Sequence, residues 1–187
     1  MSNMITDEAL YRAYLKGDES SLTLLVERYG NRLTLYINAF IHDMHDSEDL
    51  MIEAFAYLIA KKPSIREGCF KAYLYKMARN ISLRFIRKKC TSNCFSFDEI
   101  EKEPESKILI EDLAQKNELN QCLYSCMDQL KPEYREALYF VYFENMHHGE
   151  VAVVMKKSEK QVSDLVYRGR KSLRKYLEKE GVTNAEY

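Results

Sequence analysis

The sequence predicts an all-α protein: two small helical domains joined by an acidic linker, the C-terminal one a helix-turn-helix domain. Three observations predict it. Phe70, Tyr73, Leu74, Met77, Ala78, Ile81 and Phe85 hold helical spacing without a miss, the strongest such run in the N-terminal half. Periodicity then fails between Cys90 and Lys107, where Ser, Thr, Asn and Pro are interspersed with Asp98, Glu99, Glu101, Glu103 and Glu105. Beyond it, Val151, Ala152 and Met155 give a short helix that breaks at Lys156-Lys157, and Ser158-Glu159-Lys160-Gln161 has the form of a capping box that starts another. The expected boundaries are 1–90, 91–107 for the linker, and 108–187.

Size and composition narrow the class. With 187 residues and 46% hydrophobic content the chain can bury one or two modest cores, not those of a large multidomain enzyme. Its 28 basic and 29 acidic residues disfavour a protein that coats nucleic acid non-specifically. The charges are segregated instead, basic in the Lys71 to Lys89 and Lys156 to Lys179 stretches and acidic between Asp98 and Asp112. No charged head precedes an apolar run at the N-terminus and no long apolar run follows, so a cytoplasmic protein without membrane insertion is expected. Five cysteines, an odd number, do not suggest a secreted disulfide framework. Cys90-x-x-x-Cys94, Cys122-x-x-x-Cys126 and His147-His148 offer a zinc reading. Cys122 and Cys126 share an apolar helical face with Leu119, Leu123 and Leu130, which favours core packing, and no metal or cofactor is expected.

In chain order, Asp7 is placed to cap a first helix with Leu10, Tyr11, Tyr14 and Leu15 as its stripe, ended by Gly17-Asp18. A longer helix from about Ser20 carries Leu22, Leu25, Val26, Tyr29, Leu33, Tyr36, Ile37 and Phe40, with a kink expected at Gly30. Asp43 to Asp46 reads as a turn, Asp46 as the cap of a helix running to about Ala60. Leu50, Ala54, Phe55 and Leu58 face inward there, leaving Glu48, Asp49 and Glu53 as an acidic outer face. Paired carboxylates suit acid-base work or a metal, but acids in a first turn are explained by the helix dipole, and no nearby His, Lys or nucleophile completes a catalytic group. The chain is therefore not read as an enzyme.

Pro63 to Cys69 is a loop, and the helix after it sets Lys71, Lys76, Arg79, Arg84, Arg87, Lys88 and Lys89 around its apolar stripe, with Tyr75 and Asn80 off the stripe. A basic, aromatic-laced helix suits nucleic acid, cations meeting phosphates and aromatic faces stacking on unpaired bases. In the C-terminal half, Leu109, Ile110 and Leu113 resume a helix, Pro132 fits the first turn of another, and Leu138, Val141 and Tyr142 close a small core.

In the helix opened by Ser158, Val162, Leu165, Val166, Gly169, Leu173 and Leu177 form the buried stripe. The helix-turn-helix pattern lays such a helix in the major groove. Lys160, Gln161, Ser163, Tyr167 and Arg168 then fall nearest base edges, and Arg170, Lys171 and Arg174 on phosphates. Asp164 would repel phosphate unless it accepts from a cytosine amino group, so it either points away or carries specificity.

Residue order carries a resemblance. Gln161-Val162-Ser163-Asp164-Leu165-Val166-Tyr167-Arg168-Gly169-Arg170-Lys171-Ser172-Leu173 resembles the recognition helix of bacterial sigma factors, and Leu130-Lys131-Pro132-Glu133-Tyr134-Arg135-Glu136-Ala137-Leu138 the entry to the same domain. His45-Asp46-Ser47-Glu48-Asp49-Leu50-Met51-Ile52-Glu53-Ala54-Phe55 is similar to the helix that grips the polymerase clamp, and Phe70 to Asn80 to the promoter-melting helix of the extracytoplasmic-function (ECF) sigma factors. The resemblance implies a polymerase specificity subunit whose partners are core RNA polymerase and promoter DNA, with an anti-sigma factor as a further candidate. It implies polymerase contacts through Asp46, Glu48, Asp49, Leu50, Ile52 and Glu53. It places Arg66, Tyr75, Lys76, Arg79, Asn80, Arg84, Arg87 and Lys88 on the minus-ten DNA, and the Ser158 helix on the minus-thirty-five element. The acidic linker, in this family, threads towards the RNA exit channel. Lys156 stands where the family has a turn glycine, which predicts a positive φ at a lysine. A one-component regulator, sharing the helix-turn-helix but sensing a ligand through its N-terminal half, is the alternative.

Overall fold

The computed structural model describes residues 5–92 and 118–182, and every regular element among them is helical. The chain divides into two compact units, Met1–Pro104 and Glu105–Tyr187. That division falls inside the stretch read as the linker. Residues 93–117, and with them the acidic run, Cys94 and the helix expected at Leu109 to Leu113, lie outside the described residues.

The first unit holds α1 (Asp7–Leu15), α2 (Glu19–Ile41), α3 (Met44–Lys61) and α4 (Phe70–Ser92). Helix α2 packs against both α3 and α4, α3 also meets α4, and α1 lies across α2 and α4. The core is rich in tyrosine. Tyr36 of α2 meets Tyr75 of α4 edge to face at 5.3 Å and Phe40 at 5.2 Å, while Phe70 sits between Tyr11 and Tyr29. Leu25, Leu33 and Ile37, with Ala54 and Leu58 of α3, complete it.

Three local expectations are corrected. Thr6, not Asp7, caps α1 by accepting from the Ala9 N–H at 3.3 Å, because the Asp7 carboxylate is taken by Arg28 and by the Tyr29 hydroxyl. Asp43, not Asp46, caps α3, accepting from the Asp46 N–H at 2.9 Å, so that helix begins within the expected turn. And α2 runs unbroken through Gly30, whose nearest neighbour beyond its own backbone, Val26, leaves it ordinary van der Waals room.

The second unit holds α5 (Glu118–Asp128), α6 (Pro132–Leu138), a π-helical turn (Tyr139–Phe143), α7 (His148–Met155) and α8 (Glu159–Lys179). Helices α5, α6 and α7 all pack on α8. Cys126 is buried in this core and Cys122 half-buried beside it, both as free thiols. The expected inward set after Leu138 is shifted. Tyr139 and Phe140 are buried while Tyr142 is half exposed, because the π turn, closed by the Glu144 N–H donating to the Tyr139 carbonyl at 3.1 Å, inserts one residue per turn.

Candidate nucleic-acid and partner interfaces

Helix α3 presents one face to solvent. Glu48, Asp49 and Glu53 are exposed, and between them Ile52 is 59% exposed, followed along the helix by Ala56 and Ile59. Residues at i, i+4 and i+7 share a helical face, so this is an apolar ridge flanked by carboxylates. Leu50 is not on it: at 6% exposure it belongs to the core, where the same 3.6-residue period turns it towards α2. Asp46 is half-buried and accepts from Lys89 of α4 at 3.2 Å, and Glu53 pairs with Arg84 of α4. Two residues expected at polymerase thus hold two cations of the neighbouring helix, pairs worth about 0–1 kcal/mol each at such exposure.

Helix α4 corrects two further site residues. Tyr75 is fully buried and Arg79 is 6% exposed, so neither side chain is offered to DNA in this fold. The reason is that α4 is covered on two sides, by α2 and by α3, which widens its buried arc beyond the single stripe that spacing suggests. What remains outward is a ridge of Lys76, Asn80, Arg84 and Arg87, with Lys88 beside it, each exposed except the half-buried Lys76. Tyr73 lies on the same side and is half-buried, its hydroxyl pKa raised by burial and by Tyr57 of α3. Tyr73 was expected inside; it is the aromatic edge that accompanies the ridge.

The loop before α4, with Arg66 exposed, is held by α1. Tyr11 donates its hydroxyl hydrogen to the Pro63 carbonyl at 3.0 Å, Arg12 pairs with Glu67 at 2.5 Å, and Glu8 accepts from the Phe70 N–H at 2.9 Å, satisfying a first-turn donor of α4. Burial, with Tyr73 and Tyr14 nearby, pushes the Tyr11 hydroxyl up to about 12. None of these roles of α1 is visible in its own sequence pattern, since each partner lies more than fifty residues away.

In the second unit α7 and α8 form the helix-turn-helix. Lys156 ends α7 with φ 54° and ψ 44°, the left-handed conformation expected of a glycine site. Lys157 reaches back to Glu133 of α6 at 2.6 Å. Ser158 accepts from the Gln161 N–H at 3.2 Å, and the Gln161 amide oxygen accepts from the Ser158 N–H at 2.8 Å, closing the capping box. Gln161 therefore enters any DNA contact through its amide nitrogen. Val162, Val166, Gly169 and Leu177 are buried, and Lys160, Gln161, Ser163, Asp164, Tyr167, Arg168, Arg170, Lys171 and Arg174 are all exposed. Arg174 donates to Glu178 one turn on, at 3.0 Å. Beneath the motif the buried Arg135 of α6 donates to the carbonyls of Met127 at 3.0 Å and Leu130 at 3.3 Å, tying down the C-terminal end of α5. No group of His, Cys, Asp and Glu among the described residues could hold a metal ion, and no described helix is long and apolar enough to cross a membrane.

Two family models match these units. Sigma-70 region 2 matches residues 25–90, and sigma-70 region 4 matches residues 120–173, together more than half of the chain. The pair defines a factor of the sigma-70 class. The ECF RNA polymerase sigma factor SigE of Mycolicibacterium smegmatis is 24% identical over 91% of this chain and 68% of its own length. SigM of Bacillus subtilis is 26% identical over 80% and 91%, and the sigma-E factor of Escherichia coli 25% identical over 92% and 95%. The chain belongs to the ECF sigma factors. The fold is shared with CnrH, solved in complex with the cytosolic domain of CnrY, at a TM-score of 0.62 and 19% identity over 92% of this chain and 97% of that one. It is shared too with the sigma factor RpoE of Bartonella quintana, solved with the anti-sigma factor NepR, at a TM-score of 0.60 and 18% identity over 83% and 96%.

Proposed function

We propose that this protein binds core RNA polymerase through the exposed face of α3, and directs initiation by recognising and melting promoter DNA. The observation that carries the reading is Ile52, a large apolar side chain 59% exposed between Glu48, Asp49 and Glu53. An apolar contact ringed by charge is the pattern of a specific protein interface, with burial giving affinity and the carboxylates giving rate and specificity. The α4 ridge of Lys76, Asn80, Arg84 and Arg87, with Tyr73 and the Ser64 to Cys69 loop, engages the single-stranded minus-ten element. Helix α8 reads the minus-thirty-five element. The acidic linker follows the path towards the RNA exit channel, and the protein works in the cytoplasm without cofactor or catalytic group of its own. Related chains are solved with anti-sigma factors, which supports an anti-sigma partner here as well. Against a ligand-sensing regulator stands the match of residues 25–90 to sigma-70 region 2.

Run-off transcription with purified core polymerase and a promoter library tests the reading. Initiation from specific start sites only when the protein is added is the expected result; a chain that neither co-purifies with core polymerase nor changes start-site use refutes it.

A further inference from the structure

We infer that Asp164 is a specificity residue that selects cytosine in the minus-thirty-five element; the inference rests on the reading of α8 as a DNA reader given above. At 100° per residue, Lys160, Asp164, Tyr167 and Lys171 line the side of α8 opposite the buried Val162, Val166 and Gly169. Asp164 thus stands on the most outward line of the helix, in its second turn. Its carboxylate is exposed, and among the described residues neither a hydrogen bond nor an ion pair engages it, although Lys160 and Arg168 stand one turn to either side.

A free carboxylate at that place opposes everything around it. Lys160, Arg168, Lys171 and Arg174 draw α8 towards phosphate, and Asp164 repels the same phosphates. The repulsion is offset only by a hydrogen-bond donor on a base edge. The major groove offers two, the amino groups of cytosine and adenine. Adenine's amino group lies between two acceptors, its own N7 and the O4 of its paired thymine, so a carboxylate with two anionic oxygens meets repulsion on either side. Cytosine N4 has an acceptor on one side only. Tyr167, 69% exposed and three residues on, stands about 4.5 Å further along the axis, little more than one base-pair step of 3.4 Å. Its ring covers the flank of the carboxylate in the groove and excludes water there, which strengthens the bond that Asp164 accepts.

Reconstituted holoenzyme is to be selected on promoters randomised across the minus-thirty-five element, comparing wild type with Asp164→Asn and Asp164→Ser. Both changes are at an exposed site, and thermal melts followed by circular dichroism check folding. Wild type is expected to enrich cytosine at one position by about five-fold or more over other bases. Asp164→Asn should move that position to adenine, whose N6 and N7 suit an amide, and Asp164→Ser should flatten it while the other positions keep their preference. The inference is overturned if Asp164→Ser keeps the wild-type preference at every position and binds all templates more tightly, the mark of a tolerated repulsion. If wild type enriches no sequence, or the Arg168→Ala, Lys171→Ala double variant enriches as wild type does, α8 is not a DNA reader and the inference falls with that reading.

Discussion

Gly169 of α8 lies against Leu138 of α6 so closely that a Cβ on the glycine would stand 3.2 Å from both Cγ and Cδ1 of the leucine, and 3.3 Å from the Cβ of Tyr134. The recognition helix is seated at this crossing. Gly169→Ala gains about 1 kcal/mol of helix propensity and spends it on the tight contact, so near-neutral stability is expected. Gly169→Val, with nowhere for its branches to go, should lose about 1–3 kcal/mol in urea denaturation of the full chain. A valine variant as stable as wild type would mean that α6 and α8 do not meet as described.

Tyr75 and Asn80 should separate stability from DNA contact. Tyr75→Ala empties a fully buried site beside Tyr36 and should cost about 3–5 kcal/mol, seen as a large drop in midpoint. Asn80→Ala, at an exposed position, should leave the midpoint within about 0.5 kcal/mol yet reduce permanganate reactivity of the melted minus-ten strand. If Tyr75→Ala is stable and defective only in melting, the burial assigned to it is wrong.

On α3 the neighbours Leu50 and Ile52 should behave oppositely. Ile52→Asp is expected to fold normally and weaken binding to core polymerase by about ten-fold or more, given about 1.5–3 kcal/mol for burying such a side chain. Leu50→Asp should instead fail to fold, since it places a carboxylate in the core. Asp49→Lys should weaken the complex most at low salt. Competition binding at two ionic strengths reads all three.

The Cys126 thiol is pushed up to about 11, first by burial and then by Cys122. With less thiolate at pH 8, it should be alkylated far more slowly than the exposed Cys69, and only after unfolding at an ordinary rate. The sign for stability follows: a pKa higher in the folded chain favours folding below the ordinary thiol value of 9.0, and that contribution is lost as pH rises towards about 11. Mass mapping of alkylated peptides and a pH series of melts check both. Equal labelling of Cys69 and Cys126 in the native protein would contradict it.

What the sequence made legible was local. Ser158 and Gln161, Pro132 at the start of α6, and Lys156 in the turn all act within four residues of themselves, and each is found where its chemistry predicts. What it hid depends on distant partners. Asp7 was an apt cap until Arg28 and Tyr29, more than twenty residues on, claimed its carboxylate. Tyr75 and Arg79 fall off a one-sided stripe, and only the packing of α2 and α3 on both flanks of α4 buries them. The same packing leaves Tyr73 at the surface. Of the candidate site, the α8 residues were readable as a set because that helix is buried on one face alone.

The π turn at Tyr139–Phe143 bears on how this chain is compared with its relatives. A helix that accommodates one additional residue in a single turn has absorbed an insertion without forming a bulging loop. An alignment carried straight through α6 as continuous α-helix sets every later residue out of phase by one, pairing Tyr142 with inward positions of other chains and Phe140 with outward ones. A one-residue gap opened at Tyr139 restores the phase, and the helix-turn-helix positions beyond it then correspond.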